Sequence, residues 1–289
     1  MASQVVLITG CSRGIGLETA LYLAKDPQRR FKVYATMRNM ATNQEDLKTQ
    51  AGKAFDDTLF IREVDVTKQD TIDKTVKEIV DREDRIDILV NNAGWTTAAW
   101  WQTAPMDTYY DMMEINFFGC VRMTRAVVPH MKAKRSGKIL QFSSVLGFRA
   151  IPSAIQYIAS KFALEGFSES IAPPLRKFNV WVSLIQPGYV MTPMVEQFGS
   201  DVNALWDVVI PHIPDDYGKI IREMVTSNPD NVVGTTMQNV DEITKLVEEI
   251  ILSPKPDFRY QTSELIKKMA RERFTDPTGN KTIESWLNV

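Results

Sequence analysis

Apolar positions in this chain form short, near-continuous runs separated by segments of helical spacing. The run Gln4-Val-Val-Leu-Ile-Thr9 lacks the polar alternation of a half-exposed strand, so it reads as a strand buried on both faces. A helical pattern follows over 17–25. Further strands are expected at 31–36, 59–66, 86–90, 137–144 and 180–185. Between them, 40–57 reads as loop plus helix. Segment 69–81 is an amphipathic helix with Ile72, Val76, Ile79 and Val80 on one stripe. A long helix is expected over 109–128, and another runs from Tyr157. Toward the end, 240–252 is amphipathic with Asn239 or Asp241 as N-cap, 258–262 reads as an edge strand, and 264–274 as a basic helix. Strands alternating with helices imply an α/β fold built on a doubly wound parallel sheet. No repeat or linker interrupts the chain, so 1–289 is expected to form a single domain. Residues 193–239 lose the alternation and carry apolar side chains between prolines and glycines. They are expected to form an inserted lid of short helices over a site.

Three local departures add detail. Asn116 and Gly119 sit inside the 109–128 helix, where both are unfavourable, which predicts a local irregularity. Pro173-Pro174 predicts an end or a kink in the helix that starts at Tyr157. Trp95, Trp100 and Trp101 crowd a loop of small and polar residues. Such indoles either present a binding surface or pack beneath a neighbouring loop.

Composition narrows the class without naming a chemistry. With 44% hydrophobic and 24% charged residues, the chain has the balance of a soluble globular protein. A net charge of -2 supplies no general attraction to nucleic acid or to an anionic membrane. No apolar run reaches the roughly 18 residues of a membrane span, and no signal peptide is visible, so a cytoplasmic protein is expected. Cys11 and Cys120 fit no metal or redox spacing and are expected to be small, reduced core residues.

The candidate chemistry begins after the first strand. Gly10-Cys-Ser12-Arg13-Gly14-Ile15-Gly16 links that strand to a helix, the context in which glycines let backbone N–H groups approach a pyrophosphate. At the end of the second strand an acidic residue would accept from a 2′-hydroxyl, whereas a cation suits a 2′-phosphate. Arg38 stands there and Arg13 lies in the glycine turn, which favours NADP(H), the alternative being two surface arginines. Asp65 either accepts from an adenine amino group or caps the next helix. Asn91-Asn92-Ala93-Gly94 follows a strand with side chains suited to close approach of a flat ligand. Ser144 ends another strand, and a loop containing Gly147 and Pro152 allows it to fold back toward Tyr157. Thr192 could donate to a cofactor amide. Tyr157 and Lys161 are four residues apart, so on a helix they share a face. A phenol ordinarily loses its proton near pH ~10, and a fixed ammonium one turn away favours the phenolate. The pair is a candidate proton-transfer device; by itself the spacing also fits a solvated helix face.

Taken jointly, Thr9-Gly10-x-x-x-Gly14-x-Gly16, Asn91-Asn92-Ala93-Gly94, Asn116, Ser144, Tyr157-x-x-x-Lys161 and Pro187-Gly188 occur in the order and spacing of the short-chain dehydrogenase/reductase family. The chain resembles that family over nearly its whole length. More narrowly, it is similar to the branch acting on hydroxysteroids and retinol. Val6-Leu-Ile-Thr-Gly-Cys-Ser12, Tyr34-Ala-Thr-Met-Arg38, Ala159-Ser-Lys-Phe-Ala-Leu-Glu-Gly166 and Ser253-Pro-Lys-Pro256 carry that likeness.

The resemblance implies a Rossmann-type fold and an NADP(H)-dependent oxidoreductase that interconverts carbonyl and hydroxyl on a hydrophobic substrate. It implies Tyr157 as acid/base, Lys161 on the nicotinamide ribose, Ser144 on the substrate oxygen, and Asn116 supporting a water relay. Gly10, Ser12, Arg13, Gly14, Ile15 and Gly16 would surround the phosphates, with Arg38 at the 2′-phosphate and Asp65 and Val66 at the adenine. Asn92, Ala93, Gly94, Pro187, Gly188, Val190 and Thr192 would border the cofactor. Trp95, Tyr189 and Met194 are further expected to join Ser144 and Tyr157 at the substrate, although a tryptophan loop like that at 95–101 is not typical of this branch. A homodimer is implied as well. The rivals are a reductase of another lipophilic carbonyl and a non-catalytic NADPH-binding regulator.

Overall fold

A computed structural model of the protein describes residues 3–97, 99–152, 154–196, 213, 217–226, 237–280 and 283–284. Its centre is a seven-stranded sheet in the order β3-β2-β1-β4-β5-β6-β7. One half comprises β1 (Gln4–Ile8), β2 (Phe31–Met37) and β3 (Leu59–Glu63). The other comprises β4 (Ile88–Asn91), β5 (Gly137–Phe142), β6 (Val180–Gln186) and β7 (Arg259–Gln261). Every neighbouring pair is parallel. The doubly wound sheet expected from the sequence is therefore present, with β7 on its edge.

Apolar runs serve this sheet because both faces are covered. Along β1 the side chains alternate between two cores. Val6 and Ile8 join the core formed with α1 (Gly14–Ala24), α2 (Met40–Ala51) and α9 (Val240–Leu252). Val5 and Leu7 join the core formed with α3 (Gln69–Glu83), α5 (Gly119–Lys134) and the end of α6 (Ile155–Arg176). A third cluster sits near the C-terminal ends of the strands. It joins Trp100, the turn after β5, Ile221 of α8 (Tyr217–Thr226) and Ile266 and Met269 of α10 (Glu264–Thr275).

Several boundaries differ from the sequence expectation. The third strand stops at Glu63, paired with Met37, because β2 offers no partner beyond that point. Val64 N still donates to Met37 O at 3.0 Å, and Asp65 and Val66 lie beyond the ladder. Asp65 does not cap α3, whose N-cap is Lys68; its Oδ1 instead accepts from Thr67 N and Oγ1. The fourth strand begins at Ile88, not at 86, because Asp87 takes the Val5 N–H with its carboxylate at 2.8 Å.

The irregularity expected near Asn116 is a π-helical turn, Glu114–Phe118, between α4 (Met106–Met113) and α5. The helix carrying Tyr157 passes through Pro173-Pro174 and ends at Arg176. The two missing N–H donors fall close to its end, where Glu169 and Ser170 are exposed and their carbonyls can bond water. Asn239 precedes α9 as N-cap without a side-chain bond, and Asp241 lies in the first turn. Of the expected lid, the turn α7 (Pro193–Glu196), Ile213, α8 and 237–239 are described. The rest of 193–239, including Phe198, Leu205, Trp206 and 208–210, lies outside the described residues.

Arg30 ties the start of β2 to α9. It donates to Asp26 Oδ2 at 2.8 Å and pairs with Glu248 Oε1 at 2.5 Å. The Arg30 hydrogen bond to Asp26 is the main influence holding that carboxyl below its ordinary range, at about 2. A carboxylate depressed in this way stabilises the fold fully above pH ~4 and loses that contribution as pH falls through about 2. Asp26→Asn should lower Tm at neutral pH and flatten its decline across this acidic window. An unaltered acid slope in thermal melts would show that the pair does not govern it.

Candidate active site

The strand order reverses between β1 and β4, so the loops leaving these strands diverge and open a crevice at their C-terminal ends. A cavity of about 610 Å³ lies there. Loops after β1, β2, β3, β4, β5 and β6 all contribute to its lining.

The loop after β1 fits because it lacks side chains where space is shortest. Gly10 has φ +75°, and a Cβ there would lie 2.8 Å from Ala93 Cα. A Cβ on Gly16 would collide with Asn92 Nδ2 and with Gly10 O. Gly14 has φ +64° and opens α1. Arg13 is the N-cap of α1 in extended conformation, and its side chain bonds none of the first-turn N–H groups. Those donors remain available where Gly14 and Ile15 line the cavity.

The end of β4 is stapled to this loop. Thr9 Oγ1 accepts from Asn92 N at 3.1 Å and Ala93 N at 3.0 Å. Asn92 Nδ2 donates to Thr9 O at 2.9 Å and Gly10 O at 3.2 Å. Asn92 lines the cavity, but its amide donors hold two strand ends together. Arg13 and Arg38 are both exposed and both line the cavity. Asp65, Val66, Ala93, Gly94, Pro187, Gly188, Val190 and Thr192 line it too.

Helix α6 starts at Ile155, which puts Tyr157 and Lys161 one turn apart as expected. Lys161 is 4% exposed. Its Nζ donates to Phe142 O at 2.7 Å and lies 5.4 Å from the centroid of the Tyr157 ring. Phe142 ends β5, so the sheet itself holds the ammonium. Ser144 is extended, and its Oγ accepts from Leu146 N at 3.1 Å to cap the short 3₁₀ turn Val145–Gly147. Ser144, Tyr157 and Lys161 all line the cavity.

Gly16 and Asn116 stand behind the lining rather than in it. Oxygen and nitrogen of the Asn116 amide are both engaged. Oδ1 accepts from Trp95 N at 2.8 Å, and Nδ2 donates to Trp95 O at 2.9 Å and Ser160 Oγ at 3.0 Å. Ser160 Oγ in turn donates to Tyr157 O at 2.7 Å. The π-helical turn thus clasps the loop after β4 to the helix of Tyr157. Thr9 and Ser160 carry these links; the sequence places Thr9 in the glycine motif and Ser160 beside Lys161 without giving either this role.

Trp95, Leu146, Tyr189, Met194 and Met237 add large side chains to the cavity wall. Burial and the neighbouring Tyr157 push the Tyr189 hydroxyl upward, so it stays protonated. The tryptophan loop divides its residues. Trp100 is buried, edge-on to Tyr217 at 5.4 Å, whereas Trp101 is exposed. Both cysteines are buried and free, and burial pushes Cys11 up to about 12 and Cys120 to about 11. Neither is a thiolate at neutral pH.

These residues suit a dinucleotide. The glycine turn admits close backbone approach, an uncapped helix end offers N–H donors, and cations flank the same cavity. Comparison with known proteins agrees with this fold. The short chain dehydrogenase family matches residues 4–203. Retinol dehydrogenase 8 of Bos taurus is 34% identical over 280 residues, covering 96% of this chain and 88% of that protein. The 17-beta-hydroxysteroid dehydrogenase type 1 of Homo sapiens is 35% identical over 291 residues, covering 98% of this chain and 84% of that protein. A gluconate 5-dehydrogenase from Burkholderia cenocepacia J2315, solved in complex with NADP and tartrate, aligns with a TM-score of 0.74 over 93% of this chain and 96% of that one. At 22% identity it speaks to the fold alone. By sequence match and architecture together, the chain belongs to the short-chain dehydrogenase family of oxidoreductases.

Proposed function

We propose that this protein is an NADP(H)-dependent oxidoreductase that interconverts carbonyl and hydroxyl groups on a hydrophobic substrate of steroid or retinoid type. The observation that carries the reading is a buried ammonium, Lys161, fixed by the Phe142 carbonyl beside Tyr157 in a cavity that Ser144 also lines. A bound nicotinamide would supply or accept the hydride. The protein's own residues manage the oxygen and its proton.

In the reductive direction Tyr157 gives its phenolic proton to the oxygen of the nascent alcohol. The Lys161 charge stabilises the negative charge left on the phenol oxygen. Ser144 Oγ already accepts from Leu146 N, so its own proton is available to donate to the substrate oxygen. Lys161 uses one donor on Phe142 O, leaving further protons for a ribose hydroxyl. Asn116 acts by holding Trp95 and Ser160, which fixes the frame around Tyr157. In oxidation the same groups act in reverse.

Preference for the phosphorylated cofactor rests on Arg13 and Arg38, exposed at the cavity where β1 and β2 end. Preference for a lipophilic substrate rests on Trp95, Tyr189 and Met194 in the cavity lining, and accords with the names of the two relatives.

Tyr157→Phe should lower kcat by about a hundred- to ten-thousandfold while NADPH binding, followed by cofactor fluorescence, is retained. Near-normal turnover would remove Tyr157 from the proton transfer. Arg38→Asp should shift the kcat/KM preference from NADPH toward NADH; an unmoved ratio would show that Arg38 does not read the 2′-phosphate. A screen of NADPH oxidation over steroids, retinals, aliphatic ketones and small sugars tests the substrate class, and turnover of the sugars alone would overturn it.

A further inference from the structure

Behind Ser144 lies a buried carboxylate that the reaction does not use. Glu165, on α6 one turn beyond Lys161, is 7% exposed. Its Oε1 accepts from Gln186 Nε2 at 2.8 Å, at the end of β6. Its Oε2 accepts from Arg259 Nε at 3.3 Å, on the edge strand β7. Gln261, also on β7, donates to Gln186 Oε1. One carboxylate therefore gathers the catalytic helix and two strands.

Its remaining side meets the turn that carries Ser144. A Cβ on Gly147 would lie 3.2 Å from Glu165 Oε1 and 3.3 Å from Glu165 Cγ, and would collide with Ser143 Oγ. Glycine at this position is what lets the carboxylate rest against the backbone of the turn. At the far end of the turn, Arg273 Nε donates to Phe148 O at 3.3 Å. Ser143 Oγ is buried without a partner, and the Ser144 hydroxyl is turned to Leu146 N. Backbone bonds from Ser143 N to Ile185 O at 2.9 Å and Val145 N to Pro187 O at 2.8 Å fix the edge facing β6. Glu165 packs against the side facing α6. Stability alone gives little reason for an ion pair here, because well-packed apolar residues of similar volume are often as good or better.

We propose that Glu165 is a positioning residue for Ser144. Clamped by Gln186 and Arg259, it holds the turn 143–147 so that the Ser144 hydroxyl keeps its aim into the cavity. This rests on the role proposed above for Ser144, and it makes the C-terminal strand β7 a support of the active site through Arg259.

A double-mutant cycle tests it. Glu165→Ala and the near-isosteric Glu165→Gln are each made in the natural background and with Ser144→Ala, and kcat, KM, NADPH affinity and Tm are measured. Alone, Glu165→Ala should lower kcat about tenfold with NADPH affinity unchanged, and Glu165→Gln should fall between it and the natural protein. With Ser144→Ala, the same change should cost less than about twofold, because the hydroxyl it positions is gone. Equal losses in both backgrounds, or no loss in the natural one, would overturn the inference. If Ser144→Ala by itself leaves kcat unaltered, the reading of Ser144 fails first and this inference falls with it. Should Glu165→Ala not fold, the Glu165→Gln cycle decides on the same criteria.

Discussion

A lysine ammonium inside the protein is the constraint around which the site is built. Lys161 is almost wholly buried, and its Nζ meets the backbone carbonyl of Phe142. Burying a cation is costly unless polar groups replace its hydration. A strand end supplies one such group, and the open cavity beside it leaves room for others. The charge consequently has a fixed address between the end of β5 and the start of α6. Tyr157 and Ser144 are placed by the same two elements, so their positions relative to the charge follow from the sheet and not from a mobile loop.

The sheet also explains why the cofactor crevice lies where it does. Strand order turns over between β1 and β4, and their C-terminal loops part. Divergence alone would leave two loose strand ends. Thr9 and Asn92 close that gap with four hydrogen bonds between the loops. Gly10 and Gly16 permit the close approach those bonds require. Asn116 does comparable work on the other flank, with an amide that mimics a strand partner for Trp95. A π-helical turn at that position is what presents the amide.

Much of this was legible in the chain. Unbroken apolar runs marked the parallel strands, and the glycine turn between a strand and a helix marked the crevice. The Tyr157–Lys161 spacing marked the shared helix face. Less was legible wherever a residue's role depends on a partner distant in sequence. Asn92 reads as a ligand-facing amide yet holds Thr9 and Gly10. Trp100 and Trp101 look alike in the sequence, but one is buried against Tyr217 and the other exposed. Pro173-Pro174 reads as an end or a kink, and the helix passes through both prolines to Arg176.

Order along the chain establishes the periods: alternation and run length for strands, four-residue spacing for the catalytic face, glycines for the tight turn. These are local properties of the backbone, so they need no partner to be read. Tertiary structure alone decided which buried polar groups meet. The Lys161 bond to Phe142 spans 19 residues, and the Arg259 bond to Glu165 spans 94. Side chains so far apart along the chain become neighbours only through strand order and helix packing, because hydrogen bonding acts over ångströms of space and no periodicity along the chain records it.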